Sequence, residues 1–352
     1  VPWLGFLLYF FLGSTRKLRL FRRWFRPNPR LAEYGPSPGE NARALLSGQF
    51  NLSSQGREGC RDLMLLNLQG AGAVYTQGNS ARLLVDAEKK YESLFRDIEE
   101  AQETIHVLYF IFKTQDECGR KLLDLLVRKA RQGVKVRVIY DTLGCLKTHR
   151  VDFDPLIQAG GMVYGYLPSP LRTVLQVNYR MHRKMVIIDG KVAYTGGINI
   201  GDEYANRMER FGHWKDTAVM LKGEAVWNLT LMFLQTWLML TGEKDDYSSY
   251  SPEKHQEIAF FSDGYIQPYG DTPVDNEIVG ENIYLNMINK AKHYVYITTP
   301  YLIIDNEMVT ALTLAAKSGI DVRIITPGIP DKKLIYSITR SFYHNLVQDG
   351  VR

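Results

Sequence analysis

Residues Asn178 to Tyr204 read NYRMHRKMVIIDGKVAYTGGINIGDEY, the most informative segment of the chain. Met185 to Ile188 is a short apolar, β-prone run, and Val192 to Thr195 is a second one. Between them stands Asp189-Gly190, a dipeptide that favours a tight hairpin because both residues tolerate positive φ. The segment is therefore predicted as two antiparallel strands. Side chains two apart on extended backbone share a face, so His182 and Lys184 are expected to point the same way. An imidazole beside an ammonium suits chemistry on a phosphate. The lysine neutralises phosphoryl oxygens while the histidine offers a nucleophilic nitrogen. Gly196-Gly197, after the return strand, lets the backbone come close to a ligand, and Asn199 brings an amide that can donate to a phosphoryl oxygen. Asp189 fits the needs of its turn as well as those of a site.

Outward from this segment, helical and extended patterns alternate. Glu88 to Ala101 is predicted as an amphipathic helix, Ile105 to Phe112 as a strand, Arg120 to Gln132 as a helix and Val134 to Asp141 as a strand. That rhythm belongs to an α/β fold with a partly parallel sheet. The pattern then returns. Ala101-Gln-Glu-Thr-Ile-His-Val parallels Ala291-Lys-His-Tyr-Val-Tyr-Ile, and Lys129-Ala-Arg-Gln-Gly-Val-Lys-Val parallels Ala316-Lys-Ser-Gly-Ile-Asp-Val. The first pair is 190 residues apart and the glycines of the second, Gly133 and Gly319, are 186 apart. Two matches in order at nearly one offset indicate an internal duplication. It gives two similar α/β halves, residues 75–241 and 258–352, joined through the polar stretch Gly242 to Glu257. Ala225 to Thr241 carries no charge over 17 residues, close to the lower limit for a membrane span. A span there would put the halves on opposite faces of a membrane, and Asn228, Thr230, Gln235 and Thr236 suit lipid poorly. It is expected to be a core or interface helix.

Charge and hydropathy are uneven. The chain of 352 residues has a net charge of +5, yet Arg16, Lys17, Arg19, Arg22, Arg23, Arg26 and Arg30 fall in one short collar without an acidic residue. The remainder is left at about −2, which argues against nucleic acid as partner, since a nucleic-acid enzyme spreads basic residues through the substrate domain. Before the collar, Val1 to Gly13 reads VPWLGFLLYFFLG. As a helix this covers roughly 20 Å, short of the ~30 Å hydrocarbon core. A signal peptide would carry its charges ahead of the apolar run. Residues 1–13 are thus expected to be the C-terminal part of a transmembrane helix whose start is missing. Residues 14–34 then form a basic juxtamembrane segment on the cytoplasmic side. A short helical pattern near Glu40–Leu46 is the only other feature read before residue 75. Cys60, Cys118 and Cys145 are an odd, widely spaced set, which argues against a disulfide framework and for a reducing compartment. No cluster of His, Cys and carboxylates stands at metal-ligand spacing, and no cofactor or metal is expected.

His182-Arg-Lys184-Met-Val-Ile-Ile-Asp189, followed by Gly196-Gly197-Ile-Asn199, resembles the signature of the phospholipase D superfamily. The surrounding blocks narrow the resemblance to bacterial cardiolipin synthases: Phe211-Gly-His-Trp-Lys-Asp-Thr, Thr299-Pro-Tyr-Leu, and Gly319-Ile-Asp-Val-Arg-Ile-Ile-Thr-Pro. The apolar N-terminus with its basic collar matches as well. The resemblance implies a phospholipase D-like fold of two similar α/β halves with mixed sheets, preceded by a membrane segment. It implies a phosphatidyltransferase of the cell membrane, its catalytic part cytoplasmic, that joins two phosphatidylglycerols and releases glycerol without a metal. One histidine would form a phosphohistidine while a second, from the other half, protonates the leaving alcohol and activates the incoming one. Carried onto this sequence, His182, Lys184 and Asp189 are catalytic positions, and Gly196, Gly197 and Asn199 bind substrate. Asp216 is the candidate for an acidic residue that orients the histidine, though it also reads as an ordinary surface aspartate. Which histidine is the nucleophile stays open.

The chain departs from that pattern in one respect. The superfamily uses two His-x-Lys motifs, and only one is complete here. His213-Trp-Lys215 has the first spacing but Met220 where an aspartate should stand. By the duplication, Gly160 matches Gly350, so a second histidine is expected beyond Arg352, in a sequence shortened at both ends. Two other readings remain: a phospholipase D-type phosphodiesterase that uses water as acceptor, and a non-catalytic membrane scaffold that retains half a site.

Overall fold

A computed structural model describes residues 60–166, 180–243, 245–250, 264–271 and 277–352. The expected membrane segment, the basic collar and the short helix near Glu40–Leu46 lie outside the described residues. Among the described residues no helix is long and apolar enough to cross a membrane. The described residues divide into two compact units, the first holding those within 73–209 and 214–271, the second holding 60–72, 210–213 and 277–352. Residues 264–271 fall in the first unit because Ile266 bridges Thr76, with backbone bonds of 2.8 and 3.0 Å.

The first unit is built on a seven-stranded mixed sheet. In chain order its strands are β1 (Asn79–Val85), β2 (Thr104–Tyr109), β3 (Lys135–Asp141), β4 (Met162–Tyr166), β5 (Met185–Ile188), β6 (Val192–Gly196) and β7 (Thr217–Gly223). Across the sheet they run β1-β7-β6-β5-β2-β3-β4. β2, β3 and β4 are parallel, as the helix–strand rhythm predicted, and the other neighbours are antiparallel. Helices cover both faces. On one side lie α2 (Ala87–Glu100) and α3 (Glu117–Arg131), with α2 turning Tyr91, Leu94, Phe95 and Ile98 inward at helical spacing. On the other side α5 (Ala225–Thr241) sets Leu229, Phe233, Leu234 and Trp237 against Leu108, Ile139 and Ile187. The uncharged helix is thus a core helix, as expected, and its lack of charge reflects burial against the sheet. β2 and β3 are buried almost end to end because both their faces are covered.

Two boundaries differ from the sequence expectation by three residues, each for a local reason. β2 ends at Tyr109 rather than Phe112, because the next backbone N–H groups turn to side chains. Ile111 N–H donates to Asn199 Oδ1 at 3.1 Å and Phe112 N–H to Cys145 Sγ at 3.2 Å. α3 begins at Glu117 rather than Arg120, since the Asp202 carboxylate accepts from Glu117 and Cys118 N–H, both at 2.9 Å, and so caps an earlier turn.

The second unit contains α1 (Arg61–Ala71), α6 (Val279–Lys290), β8 (Tyr294–Thr298), α7 (Asn306–Lys317), β9 (Asp321–Ile325), α8 (Lys333–Ser341) and α9 (Tyr343–Gln348). A short α4 (Asp154–Gln158) in the first unit corresponds to α9. The two units share several backbone details. α2 and α6 end at Ala101 and Ala291, both with ψ of 138°. Gly133 and Gly319 turn their helices into β3 and β9 with φ of 91° and 89°, a region that L side chains avoid. Gly160 and Gly350 repeat the device at 94° and 95°. Lys135 N–H donates to Glu103 O at 2.9 Å, and Asp321 N–H to His293 O at 3.0 Å. β8 and β9 are parallel, and Arg352 already pairs with β9 as Met162 does with β3.

Candidate active site

The antiparallel run of β5 beside β2 brings the start of β5, the end of β6 and the approach to β7 to one edge of the sheet. This is the C-terminal edge of the parallel strands. His182 and Lys184 enter β5 there. Lys184 Nζ lies 3.1 Å from each ring nitrogen of His182 and donates to the His182 carbonyl at 2.7 Å. The pair meets as the spacing predicted, with the imidazole exposed and the ammonium buried. The Phe110 ring backs both, 4.6 Å from the His182 ring and 5.3 Å from the ammonium.

Burial pulls the Lys184 pKa down to about 7, and the carboxylates of Asp216 and then Asp141 oppose that pull. A lysine so placed gains most when an anion arrives to replace lost water. Asp216 stands just before β7 and packs on the glycine pair, for a Cβ on Gly197 would fall 2.3 Å from its Oδ1. A Cβ on Gly196 would fall 2.6 Å from Thr217 O. The two glycines are thus required by close packing behind the site. Asn199 follows them, buried, its side-chain oxygen fixed by Ile111 N–H so that its amide donors are oriented.

Asp189 sits elsewhere. It closes the hairpin at the far end of β5, about 13 Å along the strand, with φ of 52° beside Gly190 at 65°. Its carboxylate accepts three backbone N–H bonds of 2.8 Å, from Gln102, Glu103 and Thr104. That work ties the hairpin to the turn between α2 and β2.

Several residues that sequence reasoning passed over complete the edge. Asp141, fully buried at the end of β3, accepts from Arg180 Nε at 3.1 and 3.0 Å, from Arg180 Nη2 at 2.6 Å and from Met181 N–H at 3.1 Å. This ion pair fixes the backbone that delivers His182. Lys90, wholly buried in α2, donates to Ile198 O at 2.7 Å, and Tyr91 Oη donates to Asn199 O at 2.6 Å. Together they hold the loop that carries Asn199. Arg180 stands two residues before His182, which was a usable signal. A lysine on a polar-looking helix gave none.

A family model described as "Cardiolipin synthase, PLD-like domain" matches residues 94–225 and 284–352. The chain is 35% identical over 358 residues to the major cardiolipin synthase ClsA of Bacillus subtilis, covering 99% of this chain and 72% of that protein. The chain belongs to the cardiolipin synthase family. This is a family of phosphatidyltransferases within the phospholipase D superfamily. A cardiolipin synthase of Listeria innocua is 35% identical over 355 residues, again covering 72% of its length. An uncharacterized protein of Streptococcus mutans is 41% identical over 289 residues, covering 82% of this chain. The match spans 61% of that relative's own length. Among solved structures, the phosphatidylserine synthase of Haemophilus influenzae aligns with a TM-score of 0.55 at 15% identity, over 82% of this chain and 72% of that one. That likeness shows the fold.

Proposed function

We propose that the protein transfers a phosphatidyl group between two phosphatidylglycerols, giving cardiolipin and glycerol, at the cytoplasmic face of the cell membrane. The observation that carries this is the buried Lys184 ammonium against the exposed His182 ring, at 3.1 Å, in a member of the cardiolipin synthase family. The exposed imidazole is accessible to a phosphodiester, and the ammonium beside it supplies the charge that phosphoryl oxygens need. In the first half-reaction a histidine nitrogen bonds to phosphorus, the P–O bond to the leaving glycerol breaks, and the glycerol oxygen takes up a proton. In the second, a hydroxyl of another phosphatidylglycerol gives up its proton and bonds to phosphorus as the P–N bond breaks. His182 serves either as nucleophile or as acid–base partner, with a second histidine of a matching motif in the other role. Asn199 donates its amide to a phosphoryl oxygen, Gly196 and Gly197 let that loop approach, and Asp216 tunes Lys184.

The test is product analysis on vesicles of phosphatidylglycerol, with the protein at its natural length. Cardiolipin and glycerol in equal amounts are expected. Phosphatidic acid and glycerol without cardiolipin would make it a hydrolase, and no turnover with a folded protein would refute the enzymatic reading.

A further inference from the structure

The second unit carries, beyond the C-terminal end of β9, a surface that holds none of the residues assigned to phosphoryl transfer. The chain leaves β9 through Pro327-Gly-Ile-Pro-Asp-Lys and enters α8, which reads Lys333-Leu-Ile-Tyr-Ser-Ile-Thr-Arg-Ser341. One side of α8 is fixed to its unit: Thr339 is fully buried, and its Oγ1 accepts from Leu302 N–H at 3.0 Å. The opposite side shows apolar groups to solvent. Leu334 is 76% exposed and Ile338, one turn on, 40%, while Ile329 in the preceding loop is 60% exposed. Lys332, Lys333 and Arg340 are exposed beside them, and no acidic residue occurs from Lys332 to Ser341. The adjacent carboxylate, Asp331, accepts from the Tyr301 hydroxyl.

The first unit repeats the combination by itself. The matching connection after β3 exposes Leu146 (72%) and Val151 (64%) beside the exposed Lys147 and Arg150. Isolated exposed leucines are ordinary on a protein surface. What recurs after both second strands is exposed apolar side chains beside cations; the helical spacing and the absence of acids belong to α8.

We propose that α8 and the loop before it form a docking surface for an anionic bilayer, with Leu334, Ile338 and Ile329 entering the interface and Lys332, Lys333 and Arg340 among the head groups. The chemistry is that of an interfacial helix, apolar on one side and basic at its border. The charge complementarity favours anionic lipid over a protein partner, because the charged side chains of α8 are all cations and it offers no carboxylate to a basic surface. Three apolar side chains are too few to anchor a protein alone. The surface orients the unit on a membrane. It goes beyond the transferase reading, for a hydrolase would dock in the same way.

The experiment places an environment-sensitive fluorophore on Ser337→Cys in a Cys60→Ser background, since Cys118 and Cys145 are buried. A second protein carries the label on α2 at Glu92→Cys. Vesicles of phosphatidylglycerol are expected to shift the 337 label to the blue and shield it from aqueous iodide. The label at 92 should not respond, and phosphatidylcholine vesicles should shift neither. Leu334→Asp with Ile338→Asp should raise the lipid concentration for half-maximal response about tenfold or more. A 337 label still open to iodide on protein that has sedimented with the vesicles overturns the proposal, as does an equal response to phosphatidylcholine. The readout needs no turnover, so an inactive protein would count against the transferase reading and leave this one standing.

Discussion

Replacing Lys90 with methionine is expected to stabilise the first unit at neutral and acid pH while loosening the loop that carries Asn199. Burial above all lowers the Lys90 pKa from 10.5 to about 7; the Asp216 carboxylate opposes it, and the Lys184 ammonium adds a still smaller downward push. At about 1.4 kcal/mol per pH unit, holding that ammonium in the core costs on the order of 5 kcal/mol below pH 7. Methionine keeps the length of the side chain and removes the charge. It also strips Ile198 O of its donor, a loss of about 1–3 kcal/mol. The net is roughly 3 kcal/mol of added stability at pH 6.

The sign follows from proton binding. Between about pH 7 and 10.5 the unfolded chain holds the Lys90 proton more firmly than the folded one, so wild-type stability from this group rises with pH across that window. The variant lacks this rise, and its advantage should shrink to near zero by about pH 9. Urea unfolding at pH 6, 7.5 and 9, followed by tryptophan emission, measures it, because Trp214, Trp227 and Trp237 all lie in the first unit. Turnover should fall on the order of tenfold, as the Gly196–Asn199 loop loses one of its two side-chain ties to α2. A stability difference that stays constant from pH 6 to 9 would refute the buried-charge reasoning. So would a variant less stable than wild type at pH 6.

Other perturbations test other parts of the site. His182→Ala should abolish lipid turnover in a folded protein, with Lys184→Ala nearly as damaging; more than a few per cent of residual turnover would place the chemistry elsewhere. Turnover is expected to persist in a chelator, the positive charge coming from Lys184, and activity restored by one specific ion would contradict this. Arg180→Met strands the buried Asp141 carboxylate and should cost about 3–5 kcal/mol, with Asp141→Asn in the same chain recovering part of it; calorimetry of the two variants reads this directly. His106, buried against Phe233 at 4.6 Å with both ring nitrogens unpartnered among the described residues, has its pKa pushed by burial, then by Arg137, to about 3. The unfolded chain takes up that proton first, so stability should fall as pH drops below about 6.5, by about 2 kcal/mol at pH 5. His106→Phe should remove this dependence, and an unchanged acid profile would count against it.

What was legible in the sequence was local. The hairpin of β5 and β6 was readable because alternation and Asp189-Gly190 act over neighbouring residues, and the meeting of His182 with Lys184 followed from a spacing of two. The recurring helix–glycine–strand pattern was readable because each such unit obeys its own short-range rules. The tertiary structure decided what depended on residues far apart. Lys90 and Tyr91 hold a loop 108 residues away, and in sequence their helix resembles any amphipathic surface helix. Asp141 reaches Arg180 across 39 residues, and a buried ion pair leaves no periodic trace. Asp189 shares a motif with His182 yet works at the opposite end of the strand, because a four-residue strand separates the two by its full length. Sequence spacing reports which side chains share a face within one element. Only the pairing of strands and the packing of helices decides which edges meet, because those contacts are set by burial across the whole unit.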